Sequence, residues 1–344
     1  MDGLSIELTN ACNRRCLHCI RNRADAPEFL PLDLAREILP QAKALGFRKI
    51  CLTGGEAALY PHLEELLALV VDQEFTFNLV TNGHRFRENL LPLLSSPKIR
   101  ENLTEVCLSL DGAQPETHDA LRGLGSFREV LEAATLCQLQ GIPLSLKSVI
   151  TNFNKGEITE LALLGATLDT WDHGFLHPFP TPRSIQQEVI PPSAELRGIM
   201  EWIAHSLAKA LRPKIRIEAF GHRTTLFTCD NILKGAHLDF QGNLVLCCNL
   251  SHVAREQGQP SVFGREWLAD LKEVPLREGL IRHFHGVARL MEARLRDLEK
   301  LKDPTFIPCY WCFLHFGKLE WLREYPWSPW SAGVLEEEVR LARA

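Results

Sequence analysis

The sequence predicts an open α/β fold built from six parallel βα units, and three observations carry that expectation. From residue 3 to about 180, short apolar runs of strand length alternate with amphipathic stretches of helical period. Strands alternating with helices imply parallel strands joined by right-handed crossovers. The early strand candidates also end in small, polar or glycine residues, as a ligand-lined rim at the C-terminal ends of such strands requires. Six units are too few to close an ordinary eight-stranded barrel. A curved, open (βα)6 sheet and a doubly wound flat sheet are the two architectures left.

The strand candidates, in order, are "LSIELT" (4 to 9), "KICLT" (49 to 53), "FTFNLVT" (75 to 81), "TEVCLSL" (104 to 110), "PLSLKSVI" (143 to 150) and "GFLHPF" (174 to 179). Between them, residues 32 to 46, 62 to 73, 127 to 141 and 157 to 169 have helical period, and two of these end in a glycine suited to a C-cap. In the first strand Ser5, Glu7 and Thr9 share a face opposite Ile6 and Leu8. A buried Glu7 is costly unless paired, so that face reads as the wall of a polar cavity. On the fifth strand Ser145 and Lys147 alternate with Leu144 and Leu146, which makes Lys147 a candidate for the ribose or the substrate if its face is interior.

Near residue 180 a segment with five prolines, "HPFPTPRSIQQEVIPPSAEL", reads as a connector. It leads to a helix at about 194 to 211, a short strand at 214 to 220, a hairpin around "QGN" inside 229 to 248, and a charged helical stretch of sixty residues. The expected domains are 1–185 for the (βα)6 core, 186–228 for a connector, 229–318 for a small α+β domain and 319–344 for a tail. The tail's tryptophan- and proline-rich "WLREYPWSPW" either covers the core or meets a partner.

Composition limits the function classes. The chain has 344 residues, 45% hydrophobic and 24% charged, with a formal net charge of −5. There is no basic footprint for nucleic acid and no long apolar run for a membrane span. The first residues, "MDGLSIELTN", lack a basic n-region and an apolar h-region, so a cytoplasmic location is expected. Eleven cysteines in a reducing compartment then read as metal or catalytic ligands where clustered and as core residues where scattered. Cys51, Cys107 and Cys137 stand singly in apolar runs and read as core fillers.

"TNACNRRCLHCIRN" places Cys12, Cys16 and Cys19 at C-x3-C-x2-C in the loop after the first strand. Structural zinc and ordinary iron–sulfur clusters both take four protein ligands, and here only three are close. A [4Fe-4S] cube with three cysteines leaves one iron open for substrate or cofactor. This spacing resembles the hallmark of the radical S-adenosylmethionine (SAM) superfamily, which usually carries an aromatic just before the third cysteine, where this chain has His18. The resemblance selects the partial (βα)6 TIM-like barrel. It implies that the amino and carboxyl groups of SAM bind the fourth iron and that reduction yields methionine and a 5′-deoxyadenosyl radical.

Other strand ends resemble the family as well. Gly54, Gly55 and Glu56 of "TGGEA" are implied at the methionine amino group, which needs close backbone approach and an acceptor for an ammonium. Asn82 and Gly83 of "TNG", and Ser109, Asp111 and Gly112 of "SLDG", are implied at the SAM and substrate pocket. Arg122 of "HDALRG" is implied to pair with the SAM carboxylate, an exposed helix arginine being the alternative.

A second cysteine set, Cys229, Cys247 and the pair Cys309-x2-Cys312, resembles the auxiliary-cluster domain called SPASM in its shorter twitch form. No cysteine follows Cys312, so one auxiliary [4Fe-4S] cluster is implied, fully ligated and suited to electron transfer; a four-cysteine zinc site is the alternative. Spacing from Gly242 selects Cys247 over Cys248 as the ligand, and neighbours on a strand point oppositely.

The resemblance implies hydrogen abstraction followed by oxidation or bond formation at a peptide or a small molecule, with an external electron donor such as a flavodoxin or ferredoxin. A first strand starting near residue 4 leaves no room for a leader-binding module, which lowers the peptide expectation. His177 and Arg183 after the sixth strand, with Glu218, His222 and Arg223 at the junction, are acid/base candidates. A non-catalytic iron–sulfur carrier or zinc-stabilised scaffold is the reading from a different class.

Overall fold

Alternation along the strands decides which way the sheet faces. Leu4 and Ile6, Ile50 and Leu52, Phe77 and Leu79, Val106 and Leu108, and Leu144 and Leu146 are all buried beneath helices. Between them stand Ser5, Glu7, Cys51, Asn78, Glu105, Cys107, Ser145 and Lys147, which share the opposite face. Burying one such Leu or Phe is worth about 1.5–3 kcal/mol, so the helix-covered face holds the sheet together and leaves the other face for polar groups.

These relationships come from a computed structural model, which describes residues 2–21, 26–211, 214–218, 229–251, 266–297, 308–332 and 334. The strands are β1 (Gly3–Glu7), β2 (Lys49–Thr53), β3 (Thr76–Thr81), β4 (Leu103–Ser109), β5 (Leu144–Val149), β6 (Asp172–Leu176), β7 (Lys214–Glu218), β8 (Gly235–Leu238), β9 (Asn243–Val245) and β10 (Trp267–Asp270). They form one ten-stranded sheet in the order β10-β9-β8-β1-β2-β3-β4-β5-β6-β7. From β8 through β1 to β7 all pairs are parallel, while β8–β9 and β9–β10 are antiparallel. The six expected strands are present, and the sheet runs on beyond them. Strand β7 joins one edge, and β8 pairs with β1 at the other, so strands expected in the connector and the C-terminal unit share the core's hydrogen-bond ladder.

Two local expectations need correction. The sixth strand is Asp172–Leu176 and stops before Pro178, which cannot donate to a ladder. The charged run expected to be helical contains β10 before the long helix Leu276–Arg296. The expected connector helix is present, as Ser193–Trp202 continued by a wider π turn at Ile203–Leu207 and a last turn at Ala208–Ala210. The helix Pro115–Arg122, unpredicted from the sequence, matters because it ends on Arg122.

Of the scattered cysteines, Cys137 is core packing, as expected. Cys51 and Cys107 are not fillers of the helix-covered core. They stand on the polar face, where Asn78 Nδ2 lies 3.5 Å from Cys51 Sγ and the Lys147 charge acts on both thiols. Apolar neighbours in sequence occupy the other face and reveal nothing about this one.

Candidate active site

The loop after β1 is stapled at its base. Thr9 Oγ1 donates to the Glu28 carbonyl at 2.6 Å, and Asn10 Oδ1 accepts from the Glu28 amide at 2.7 Å. Over this loop lies the turn after β2. The Gly55 amide donates to the Thr9 carbonyl at 2.7 Å and the Glu56 amide to the Ala11 carbonyl at 2.8 Å. A Cβ on Gly54 would stand 2.6 Å from the Thr9 carbonyl oxygen, and one on Gly55 would stand 2.1 Å from that of Ala11. The two glycines are thus required for the turn to close on the cysteine loop.

Glu56 is buried and its carboxylate accepts from Thr81 Oγ1 at 2.6 Å, the Asn82 amide at 2.8 Å and the Ala58 amide at 3.2 Å. Burial lifts its pKa, and those donors oppose the rise. Asn82 in turn reaches Cys12, with Nδ2 3.8 Å from Sγ. Cys12, Cys16 and Cys19 open with Gly54, Gly55, Glu56, Asn82, Ser109, Arg122 and His177 onto one cavity of ≈ 480 Å³. Its walls are rich in arginine, with Arg14, Arg15, Arg21 and Arg183 also lining it. The C-x3-C-x2-C stretch itself supplied Arg14 and Arg15, but nothing in the sequence marked Arg21.

Behind the cysteines Asp111 gathers several partners. Its carboxylate pairs with Arg122 Nε, lies 3.2 Å from His18 Nε2 and accepts from the Val149 amide at 2.7 Å. Burial works to raise this carboxyl, but Arg122, His18 and His118 beside it carry it below the usual range. Burial also holds His18 neutral, down to about 4, and lifts the Cys16 thiol to about 11. Arg122 Nη1 lies 3.9 Å from Cys16 Sγ, so its nearest anionic partner in this structure is Asp111.

Two expected catalytic groups do not line the cavity. Glu7 is 2% exposed and pairs with Arg21 at 2.6 Å, so it is Arg21 that reaches the wall. Lys147 stands on the polar face in register with Ser109, not itself among the residues that line the cavity, and its charge acts on Cys51, Cys107 and His173. His177 does line it, buried, with Nδ1 3.2 Å from the Pro178 carbonyl and no partner at Nε2; burial depresses its pKa to about 4. His222 and Arg223 lie outside the described residues, and so does the side chain of Glu218.

The second cysteine set also comes together. Cys229 precedes the turn Asp230–Lys234, Cys247 follows β9, and Cys309 and Cys312 lie on the helix Pro308–His315. Cys247 is pushed well up by its hydrogen bond to Cys248 and by burial, with the charges of Cys248, Cys229 and Cys309 adding. Cys309 is raised first by burial, then by Cys312 and Cys229. Arg294 donates to Cys312 Sγ at 2.9 Å. Cys248 shares the hydrogen bond with Cys247 and also feels His237 and Arg21, which together carry its thiol well down against burial. Among the described residues no three Cys, His, Asp or Glu side chains form a group suited to a single metal ion. Cys16 feels the charges of Cys19 and Cys12, and Cys309 those of Cys312 and Cys229; thiols gathered this closely are a donor set that a cationic centre placed among them would stabilise, and in that respect both sets fit an iron–sulfur cube.

A family model, Radical SAM superfamily, matches residues 6–164. These residues match a radical SAM domain. The domain spans β1 to β5 and carries all three cysteines of the loop. Among similar proteins, the mycofactocin maturase MftC of Mycobacterium ulcerans is 27% identical over 206 residues, 58% of this chain and 54% of that one. The GTP 3′,8-cyclase of Microcystis aeruginosa is 32% identical over 214 residues, 58% of this chain and 63% of that one. The chain thus spans a little over half the length of these curated relatives. Among solved structures, Streptococcus suis SuiB bound to S-adenosylmethionine superposes with a TM-score of 0.62 at 16% identity, over 81% of this chain and 67% of that one. Native anSMEcpe with bound AdoMet gives 0.61 at 16%, over 81% and 80%. At these identities the likeness is one of fold, a partial (βα)6 TIM-like barrel with a C-terminal extension, and it runs past the radical SAM domain. No described helix is long and apolar enough to cross a membrane.

Proposed function

We propose that this protein is a cytoplasmic radical SAM oxidase of a peptide, with residues 1–185 as the radical-generating core and 229–318 as an auxiliary-cluster domain. When bound, a [4Fe-4S] cluster with SAM and a second [4Fe-4S] cluster would supply a hydrogen-abstracting 5′-deoxyadenosyl radical and an acceptor for the substrate's next electron. The observation that carries the reading is the convergence of Cys12, Cys16, Cys19, the glycine turn and Glu56 on one cavity.

The chain's own residues divide the remaining work. Cys12, Cys16 and Cys19 would hold the first cluster, and Cys229, Cys247, Cys309 and Cys312 the second. Gly54 and Gly55 let the backbone approach SAM, and Glu56 fixes the Asn82 backbone at the cavity wall. His18, Asp111 and Arg122 brace the cysteine loop from behind, and Ser109 offers a hydroxyl to the pocket. His177, neutral and without a partner at its buried Nε2, is the group on the cavity wall that would take the proton leaving a substrate oxidised by two electrons. Glu7 orients Arg21, and Lys147 sets the charge beneath the pocket. A flavodoxin or ferredoxin would deliver the initiating electron.

The peptide is favoured by relatives and neighbours in fold. MftC is a maturase, SuiB is solved with the precursor peptide SuiA at a TM-score of 0.61, and anSMEcpe with a Cp18Cys peptide at 0.60. A second reading, dehydrogenation or rearrangement of a small molecule, is favoured by the 32% identity to a GTP 3′,8-cyclase, above the maturase's 27%.

The test is anaerobic incubation of the reconstituted protein with SAM and dithionite. Formation of 5′-deoxyadenosine and methionine, abolished in the Cys12, Cys16 and Cys19→Ala variant, is expected. An iron-loaded protein that leaves SAM intact would return the non-catalytic carrier to first place.

A further inference from the structure

Five guanidinium groups line the cavity, from Arg14, Arg15, Arg21, Arg122 and Arg183, against the single carboxylate of Glu56. Three of the five are neutralised from behind the wall: Arg14 by Glu129, Arg21 by Glu7 and Arg122 by Asp111. Glu56 is engaged by its own donors. Arg15 and Arg183 are exposed and meet no carboxylate among the described residues. They are nonetheless neighbours, because Arg183 Nη1 donates to the Arg15 carbonyl at 3.1 Å and so ties the segment after β6 to the cysteine loop.

In a chain of net charge −5 this is a local excess of positive charge at the entrance to one cavity. The expected cofactors do not absorb it. SAM's carboxylate is matched by its own ammonium, and its sulfonium is offset by the negative charge of a cube bound to three thiolates. Two unmatched guanidinium forks beside a cavity suit a carboxylate or a phosphate, which each fork can grip through parallel N–H bonds.

We infer that Arg15 and Arg183 bind an acidic group of the substrate, a carboxylate or a phosphate, at the cavity mouth. The inference rests on the peptide reading above for the rest of the substrate but not for the anion. Anchored there, an acidic residue holds the substrate at the rim and leaves the neighbouring part of the chain to enter the cavity. The specificity is for charge and planar geometry at one position.

The experiment uses the reconstituted, SAM-loaded protein and three fluorescein-labelled peptides of one sequence frame with Glu, phosphoserine or Gln at the centre, read by anisotropy. Inorganic pyrophosphate, read by calorimetry, is the fourth probe. The Glu or the phosphoserine peptide should bind about tenfold or more tightly than the Gln peptide, as a charge-assisted contact implies, and whichever wins identifies the anion. That preference should vanish in Arg183→Gln and Arg15→Gln, and persist in Arg277→Gln on the distant helix Leu276–Arg296. Pyrophosphate binding that needs both arginines, with no peptide bound, upholds the anion site and overturns the peptide reading. Equal binding of all three peptides without pyrophosphate binding, or anion binding unchanged in both variants, overturns the inference.

Discussion

Arg122 Nη1 stands 3.9 Å from Cys16 Sγ while its Nε is held by the buried carboxylate of Asp111. A guanidinium fixed against a ligand sulfur withdraws electron density from it, and hydrogen bonds to sulfur are among the levers that set cluster potentials. Replacing Arg122 with Gln should therefore shift the midpoint potential of the first cluster downward, on the order of tens of millivolts. Redox titration followed by electron paramagnetic resonance reads this directly. An unchanged potential in a variant with full iron content would mean that Arg122 serves SAM alone.

Gly55→Ala should cost the protein its first cluster. The added methyl would stand 2.1 Å from the Ala11 carbonyl oxygen, a backbone atom one residue before Cys12, so the turn and the cysteine loop must part. Reconstituted protein is expected to hold about half the wild-type iron, that of one cube in place of two, and to make no 5′-deoxyadenosine. Wild-type iron and SAM cleavage in this variant would show that the turn can relax.

Cys247 and Cys248 are distinguished by their surroundings. The two thiols share a hydrogen bond, but Cys247 feels the charges of Cys229 and Cys309, whereas Cys248 feels those of His237 and Arg21. Cys247→Ala should lose the second cluster and Cys248→Ala should keep it, as counted by iron and by Mössbauer signal. The reverse outcome would exchange the two assignments.

Acid should weaken the fold through His173. This residue is fully buried, stacked on Phe175 with Nε2 2.8 Å from Ser148 Oγ, and burial depresses its pKa from 6.5 to about 3. A histidine held neutral favours the native state above its unfolded pKa, and that advantage is lost as pH falls from about 6.5 toward 3. The contribution is on the order of a few kcal/mol. Denaturant unfolding at pH 7 and pH 5 should show a smaller drop for His173→Gln than for wild type. Equal drops would place the acid sensitivity elsewhere.

Much of the architecture was legible because strand alternation is a local signal. Ser5 and Glu7 against Ile6 and Leu8, or Lys147 against Leu146, reveal their faces within a few residues. Which neighbours a side chain meets on that face is not local: Lys147 stands in register with the cavity-lining Ser109, yet its charge acts on Cys51, Cys107 and His173. β10 escaped notice because four residues inside a charged run carry too little pattern until β9 pairs with them. The glycine turn and the three cysteines were legible because each needs a residue type that little else can replace. Arg122 shows the limit: its pairing with Asp111 depends on where the helix Pro115–Arg122 ends, and the tie from Arg183 to Arg15 spans 168 positions.

The proposed function requires that two separate cysteine sets hold two clusters. Iron and sulfide per chain, measured after anaerobic reconstitution of the variant with Cys12, Cys16 and Cys19 all changed to alanine, test it most directly. About four iron atoms should remain, the content of one [4Fe-4S] cube on Cys229, Cys247, Cys309 and Cys312. Zinc in place of iron, or no metal at all, would contradict the claim and leave redox-neutral radical chemistry at a single cluster.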